Sequence, residues 1–458
     1  MTFYEVVMFC EKIITPGPAT PHPGRSWRVF VICHRLILVA LALFSVFFVS
    51  SANAAEIKQG DKLDLKICVE IALRRHPGIA GAAHGLKVQE AVGRQTRSAY
   101  WPQVNLSTSA GKKGTDASSI GRPSGSSDEY TNTLALNQTI YDFDRTNKKV
   151  EIQDLGLMTL QAELQNTENQ VAYNVKLAYW GELLAFRKNI IQAETVGLFQ
   201  KHLDQAQAFH LYGIRPKFDV TKAEVDLSNA MLEMVKADNA LRLARALLNN
   251  SMGLPEVHAY ELLDRLSFEK HQTAPEAVLE KAFKNRPDLQ TLLIKKTSGE
   301  KSLELAKRGH YPQISASANY SLTGDKYPLD KSWYVGGTLS LPIFSGFLVK
   351  NQIEESAANL AVLTARIEVL KQTIRLEVIQ AQLNLQEAAE RIVAAERSIR
   401  KAVDNVDLAQ GRYVHGIGNS IEVTDALLAL NQARLAHLSA LYDHKMAWAN
   451  MEKAVGDK

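Results

Sequence analysis

The chain has 458 residues, 46% hydrophobic and 22% charged, so it can bury a large core and is not disordered by composition. A formal net charge of +4 is too mild for a nucleic-acid binder, and no Lys/Arg run with interleaved aromatics supports one. The 12 histidines follow no H-E-x-x-H or paired-Cys spacing and the 8 methionines are dispersed, so neither a metal centre nor a cofactor site is expected.

Residues 1–54 read as an N-terminal extension and signal peptide. Arg25, Arg28 and Arg35 precede an uncharged stretch from Leu36 to Val49, and Ala52-Asn53-Ala54 offers a small-x-small cleavage site. The stretch is shorter than the ~18 residues that read as a transmembrane helix, so cleavage before Ala55 is expected. Cleavage would leave Cys68 as the only cysteine and exclude an internal disulfide.

From residue 55 onward the chain repeats itself. A helical run from Leu65 to Ser98 contains His76-Pro77 and is followed by Tyr100-Trp101-Pro102-Gln103. A second run, from Ala274 to Lys307, contains Arg286-Pro287 and is followed by His310-Tyr311-Pro312-Gln313. Tyr212-Gly213-Ile214 with Asp219-Val220-Thr221 returns 203 residues later as His415-Gly416-Ile417 with Glu422-Val423-Thr424. An offset that does not drift over more than a hundred residues implies two superimposable units, placed at 55–255 and 274–458 with a linker at 256–273.

Each unit holds a pair of alternating segments. Ile314, Ala316, Ala318, Tyr320 and Leu322 alternate with Ser315, Ser317, Asn319 and Ser321, and Val104 and Leu106 alternate with Asn105 and Ser107. Their partners run from Tyr130 to Tyr141 and from Trp333 to Phe344; Leu134, Leu136 and Ile140 share one parity, as do Val335, Leu339 and Leu341. Polar loops are expected at Gly111 to Asp128 and at Thr323 to Lys331. Short alternating strands with aromatics near their loop ends are the signature of a membrane barrel, an ordinary soluble hairpin with one buried face being the alternative, and four strands cannot close a barrel without other chains.

The rest reads as helix. Between Gly346 and Gly411 there is neither Gly nor Pro, and Leu360, Leu363, Ile367, Leu370, Ile374, Val378, Ala381, Leu385, Ala388, Ile392, Ala395, Ile399, Ala402, Val406, Ala409 and Tyr413 recur at heptad spacing with one stutter. The partner helix runs from about Arg145 to Tyr212, about 100 Å at ~1.5 Å per residue. Each long helix turns at Gly213 or Gly416 into a return half its length, Phe218 to Ser251 or Ile421 to Val455. The helix before the strands supplies the other half, stacked end to end.

Two motifs admit competing readings. Asp142-Phe143-Asp144-Arg145-Thr146 has the D-x-D-x-T pattern of aspartyl phosphotransferases, but a very long helix follows it instead of a Rossmann crossover. Glu422 and Asp425, three apart, share a helix face. They are either first-turn carboxylates that suit the helix dipole or a functional acidic pair.

In this arrangement the chain resembles the TolC family of outer membrane efflux proteins. The resemblance rests on the doubled Pro and Tyr-x-Pro-Gln spacing, the strand ends Gln138-x-Ile140-Tyr141-Asp142 and Pro342-Ile343-Phe344-Ser345-Gly346, and the Gly turns followed by acidic-Val-Thr-x-Ala. It implies a mainly α fold with a β part: long coiled-coil hairpins and two β-hairpins in tandem repeat. Three chains would form a 12-stranded outer membrane barrel continued by a periplasmic α-helical tunnel.

The implied function is passive conduction, without catalysis, in a tripartite efflux or type I secretion system. The implied partners are two further copies, outer membrane lipid, a periplasmic adaptor, and an inner-membrane pump of the RND, ABC or MFS class. By the same resemblance, Glu422 and Asp425 would form acidic rings at a periplasmic constriction, and Tyr413, Asp219 and Arg215 would lock the entrance. Gly213, Ile214, Gly416 and Ile417 would be hairpin tips that touch the adaptor. The family often has a basic residue two positions after the second turn glycine, where this chain has Gly418. A periplasmic adaptor or a structural coiled-coil spacer is the alternative; an adaptor would have one hairpin, and a spacer would lack aromatic-edged strands.

Overall fold

The structure is a computed structural model that describes residue 60 and residues 62–115, 125–255, 260–269 and 275–457. The signal segment, its cleavage site and residues 116–124 of the first strand loop lie outside the described residues. The first unit contains β1 (Lys62–Leu63), α1 (Leu65–Arg75), α2 (Pro77–Arg97), β2 (Gln103–Thr115), β3 (Gly125–Tyr141), α3 (Arg145–Leu211) and α4 (Lys217–Ser251). The second contains α5 (Pro275–Asn285), α6 (Pro287–Lys307), β5 (Gln313–Gly324), β6 (Asp330–Ser340), α7 (Leu348–Val414) and α8 (Ser420–Val455). Between them β4 (Glu261–Leu262) pairs in parallel with β1, and the Tyr179 hydroxyl donates to the Leu263 carbonyl, so the linker segment packs onto α3.

The helix expected from Leu65 to Ser98 is two helices, and so is its counterpart from Ala274. Pro77 and Pro287 push the preceding residue out of the α region, with His76 at φ −66°, ψ 123° and Arg286 at φ −67°, ψ 118°. The returning helices end against these breaks. Gly253 and Gly456 adopt φ of +73° and +85°, and a Cβ on either would meet the backbone of His76 or Arg286 at 2.9 or 3.0 Å. Gly253→Ala is expected to cost about 1–3 kcal/mol, from the left-handed backbone and the backbone clash together. A lowered melting temperature of the assembled protein would register it, and an unchanged one would refute the tight junction.

The sheet order is β2-β3-β5-β6, antiparallel throughout. The register aligns Val104 with Leu136, Leu106 with Leu134, Leu134 with Tyr320 and Tyr320 with Trp333, so these share one face; Asn105, Ser107, Thr133, Asn319 and Ser321 lie on the other. A bulge after Thr139 sets Tyr141 opposite Ile314, so the alternation does not run through to Ile140 as its parity suggested. The first hairpin is also longer than expected: pairing continues to Thr115 and Gly125, inside the segment read as loop. Backbone ladders do not require apolar side chains, and cross-strand Lys112–Asp128 and Lys113–Glu129 pairs, at 4.0 and 3.8 Å, occupy that extension. Asp142 caps α3, accepting from the Thr146 amide at 2.8 Å and the Thr146 hydroxyl at 2.6 Å, a local role for the phosphotransferase-like motif.

Beyond the sheet the described residues are helices packed side by side. α3 packs against α2 and α6 along its first half and against α4 and α8 along its second, and α7 flanks α6 and α8. All sixteen heptad positions of α7 are buried or half-buried, stutter included. A second seven-residue series on α7, Val362, Val369, Leu376 and Leu383, is exposed on this single chain. Among the described residues no helix is long and apolar enough to cross a membrane.

Candidate functional site at the hairpin tips

Both turns at the end away from the sheet have the same backbone. Gly213 (φ +72°) follows α3 and Gly416 (φ +75°) follows α7, and the next amides fold back onto the helix: Ile214 donates to Phe209 and Ile417 to Arg412, each at 2.9 Å. Only a residue without Cβ adopts this left-handed closure freely. Ile214 and Ile417 project outward from the turns, 61% and 70% exposed.

Behind the turns the two hairpins are joined by an apolar cluster that includes Phe199, Leu203, Leu227, Val406, Tyr413 and Leu427. Tyr413 is completely buried, and its hydroxyl donates to Asp219 Oδ2 at 3.3 Å. Burial first, and the Asp219 carboxylate second, push the Tyr413 phenol up to about 12, so it stays a donor. Arg215 reaches across from the first turn: one Nη2 donates to the carbonyls of Tyr413 at 3.1 Å and Gly418 at 2.7 Å, and the guanidinium lies 4.8 Å from the Tyr413 ring centre. The three residues singled out as lock candidates therefore meet at one point.

Three further cross-hairpin contacts had no recognised signal in the sequence. Thr424 donates to Asp226 Oδ2 at 2.8 Å, a carboxylate that Lys222, one turn away on α4 itself, also holds at 2.5 and 2.6 Å. His202 Nε2 is 3.0 Å from the Ser420 hydroxyl, with the ring edge-on to Tyr413. Burial depresses the His202 imidazole below its ordinary range, against a weaker opposite pull from Asp226 and Asp219, so the ring is neutral and its buried Nδ1 has no partner. The partners are about 200 residues apart in sequence, so no local pattern marks them; the +203 offset pairs each turn with its copy, not with what it touches.

The two acids expected at a constriction behave differently. Glu422 lies in the first turn of α8, its amide capped by Asn419 at 2.9 Å and its carboxylate 3.0 Å from Arg412 Nε. Asp425, one turn on, is exposed, with no hydrogen bond or ion pair among the described residues. Lys222, its counterpart in the first unit, is tied to Asp226.

Comparison with known proteins fits this arrangement. The family model described as "Outer membrane efflux protein" matches residues 68–254 and 278–457, one match to each repeat. The chain is 22% identical to the outer membrane protein TolC of Escherichia coli, over 71% of this chain and 69% of that protein. It is 22% identical to the outer membrane efflux protein BepC of Brucella suis, over 94% and 92%. The solved outer-membrane channel OprN superposes with a TM-score of 0.76 at 17% identity, covering 86% of this chain and 90% of that one. The open four-stranded sheet, the long paired hairpins and the doubled match agree: the chain belongs to the outer membrane efflux protein family, whose members are outer membrane channels that extend into the periplasm.

Proposed function

We propose that three copies of this chain form a conduit in which twelve strands close a barrel and the helix walls close a tunnel, passively carrying substrates delivered by an inner-membrane pump of the RND, ABC or MFS class through a periplasmic adaptor. The observation that carries the trimer is the sheet itself. Among the described residues its outer strands β2 and β6 each have an unpaired edge and one face is apolar, an arrangement that lipid does not tolerate until the edges close. The exposed second apolar series on α7 supports the same assembly, because a neighbouring helix wall would cover it. The polar face of Ser, Thr and Asn would line the lumen.

In this reading the tips are the entrance. Tyr413, Asp219 and Arg215 hold the two hairpins together in the closed form, Glu422 and Asp425 face the aperture, and Gly213, Ile214, Gly416 and Ile417 meet the adaptor's hairpin. The test is fractionation followed by gel analysis with and without heating. The mature protein is expected in the outer membrane as a heat-modifiable trimer, and a soluble periplasmic monomer would sink the proposal. Photo-crosslinkers at Ile214 and Ile417 are expected to capture the adaptor. Capture from mid-helix sites alone would move the contact elsewhere.

A further inference from the structure

The second turn contains a charge pair that the first lacks. Arg412 and Glu422 face each other across the turn at 3.0 Å, and the equivalent of Arg412 in the first unit, 203 residues earlier, is Phe209. The space for the pair exists because residue 418 is glycine. A Cβ there would stand 3.0 Å from Glu422 Oε2 and 3.0 Å from Arg412 Cβ. Gly418 also donates its amide to the Arg412 carbonyl at 2.9 Å and accepts Arg215 on its own carbonyl, so the turn is held close over the pair from both sides. The missing side chain at 418 and the arginine at 412 are thus two parts of one arrangement.

We infer that Arg412 is the counter-ion that cancels Glu422 at the mouth of the channel, leaving Asp425 as the acid that sets the ionic preference of the aperture. The inference rests on the reading of the tips as a pore entrance. Opposite charges 3.0 Å apart act on a passing ion as a dipole, whose potential falls off faster than that of a single charge. The cancellation does not require the exposed pair to be strong, since the turn keeps the two side chains adjacent. Asp425 has no such partner among the described residues, and in the first unit Lys222 and Asp226 already neutralise each other. Repeated threefold, the second turns would present three uncompensated carboxylates to the axis, whereas six acids stand there by count.

The experiment is a set of reversal potentials for the trimer in planar bilayers under a KCl gradient, using only variants that still run as heat-modifiable trimers. Arg412→Gln uncovers Glu422 and is expected to raise the cation-to-anion permeability ratio by roughly twofold, as the unpaired charge doubles. Glu422→Gln uncovers the arginine and is expected to lower it. The double variant Arg412→Gln/Glu422→Gln removes both members and should return to the wild-type ratio, while Asp425→Asn should bring the ratio close to that of the free ions. If Asp425→Asn shifts the ratio and Arg412→Gln does not, or if the double variant fails to return, the counter-ion assignment is wrong and the entrance reading stands. If neither Asp425→Asn nor Arg412→Gln moves the ratio of a conducting trimer, these turns do not border the pore and the entrance reading falls with the inference.

Discussion

Arg215→Ala is expected to raise the resting conductance of the reconstituted trimer at least tenfold. The side chain makes two charge-assisted hydrogen bonds to carbonyls of the second hairpin and stacks on Tyr413, and nothing else in the first turn reaches those carbonyls. Hydrogen bonds from a charged donor contribute about 1.5–3 kcal/mol each and the cation–π contact about 0.5–2. If removing them costs about 3 kcal/mol of the preference for the closed form, the closed-to-open ratio falls about 150-fold. Arg215→Lys keeps the charge but loses the planar fork and should lie between alanine and wild type. Tyr413→Phe should have a smaller effect in the same direction, because it removes one long hydrogen bond and leaves the ring in place. An alanine variant that forms stable trimers with wild-type conductance would show that the hairpins are held by the apolar cluster alone.

Acidification should loosen the same lock, and His202 is the group expected to respond. In the structure, which the proposed function reads as the closed form, it is buried among Tyr413 of α7, Ser420 of α8, and Asp219, Lys222 and Asp226 of α4, and burial keeps its proton affinity below the ordinary value. An opened tip exposes the imidazole and restores a pKa near the usual ~6.5. The open form therefore binds the proton more tightly. The stability of the closed form is complete above about pH 6.5 and is lost as the pH falls through that value toward the depressed one. A protonated ring would also bring a second donor into a place where Nδ1 has no acceptor, a cost of about 1–3 kcal/mol or more. The expected result is a several-fold rise in conductance between pH 7.5 and 5.5, and a flat profile over that range for His202→Gln. A variant that keeps the wild-type pH response would assign it to another group.

The elements and their order were legible in the sequence because each depends on local chemistry. The Ser/Asn alternation of Ile314 to Leu322 marks a strand by its period of two, and the heptads from Leu360 to Tyr413 mark a helix too long for a compact core. The constant offset of 203 shows the two turns to be copies, and the structure repeats even their left-handed residues, with Asp144 and Phe347 at φ +69° and +64° before the two long helices. The elements with weak local signals were misjudged. The extension of β2 and β3 beyond Gly111 is built of Gly, Lys, Thr, Ser and Asp, and inter-strand hydrogen bonds hold it without an apolar pattern.

The chemistry of the tips was legible only in part. Asp219, Tyr413 and Arg215 could be named because the family resemblance carries lock positions onto these residues beside the two turns. Tertiary structure decided that Arg215 serves the second hairpin through carbonyls, that Asp226 is shared by Lys222 and Thr424, and that His202 is buried against Ser420. It also separated the two acids that spacing had placed together, since Glu422 faces an arginine ten residues earlier and Asp425 faces solvent. Periodicity along one chain specifies which face of a helix is apolar, and from that come the strands, the long helices and the doubled plan. Which polar groups meet depends on how one hairpin lies against the other, a rotation and register set by packing between residues about 200 positions apart.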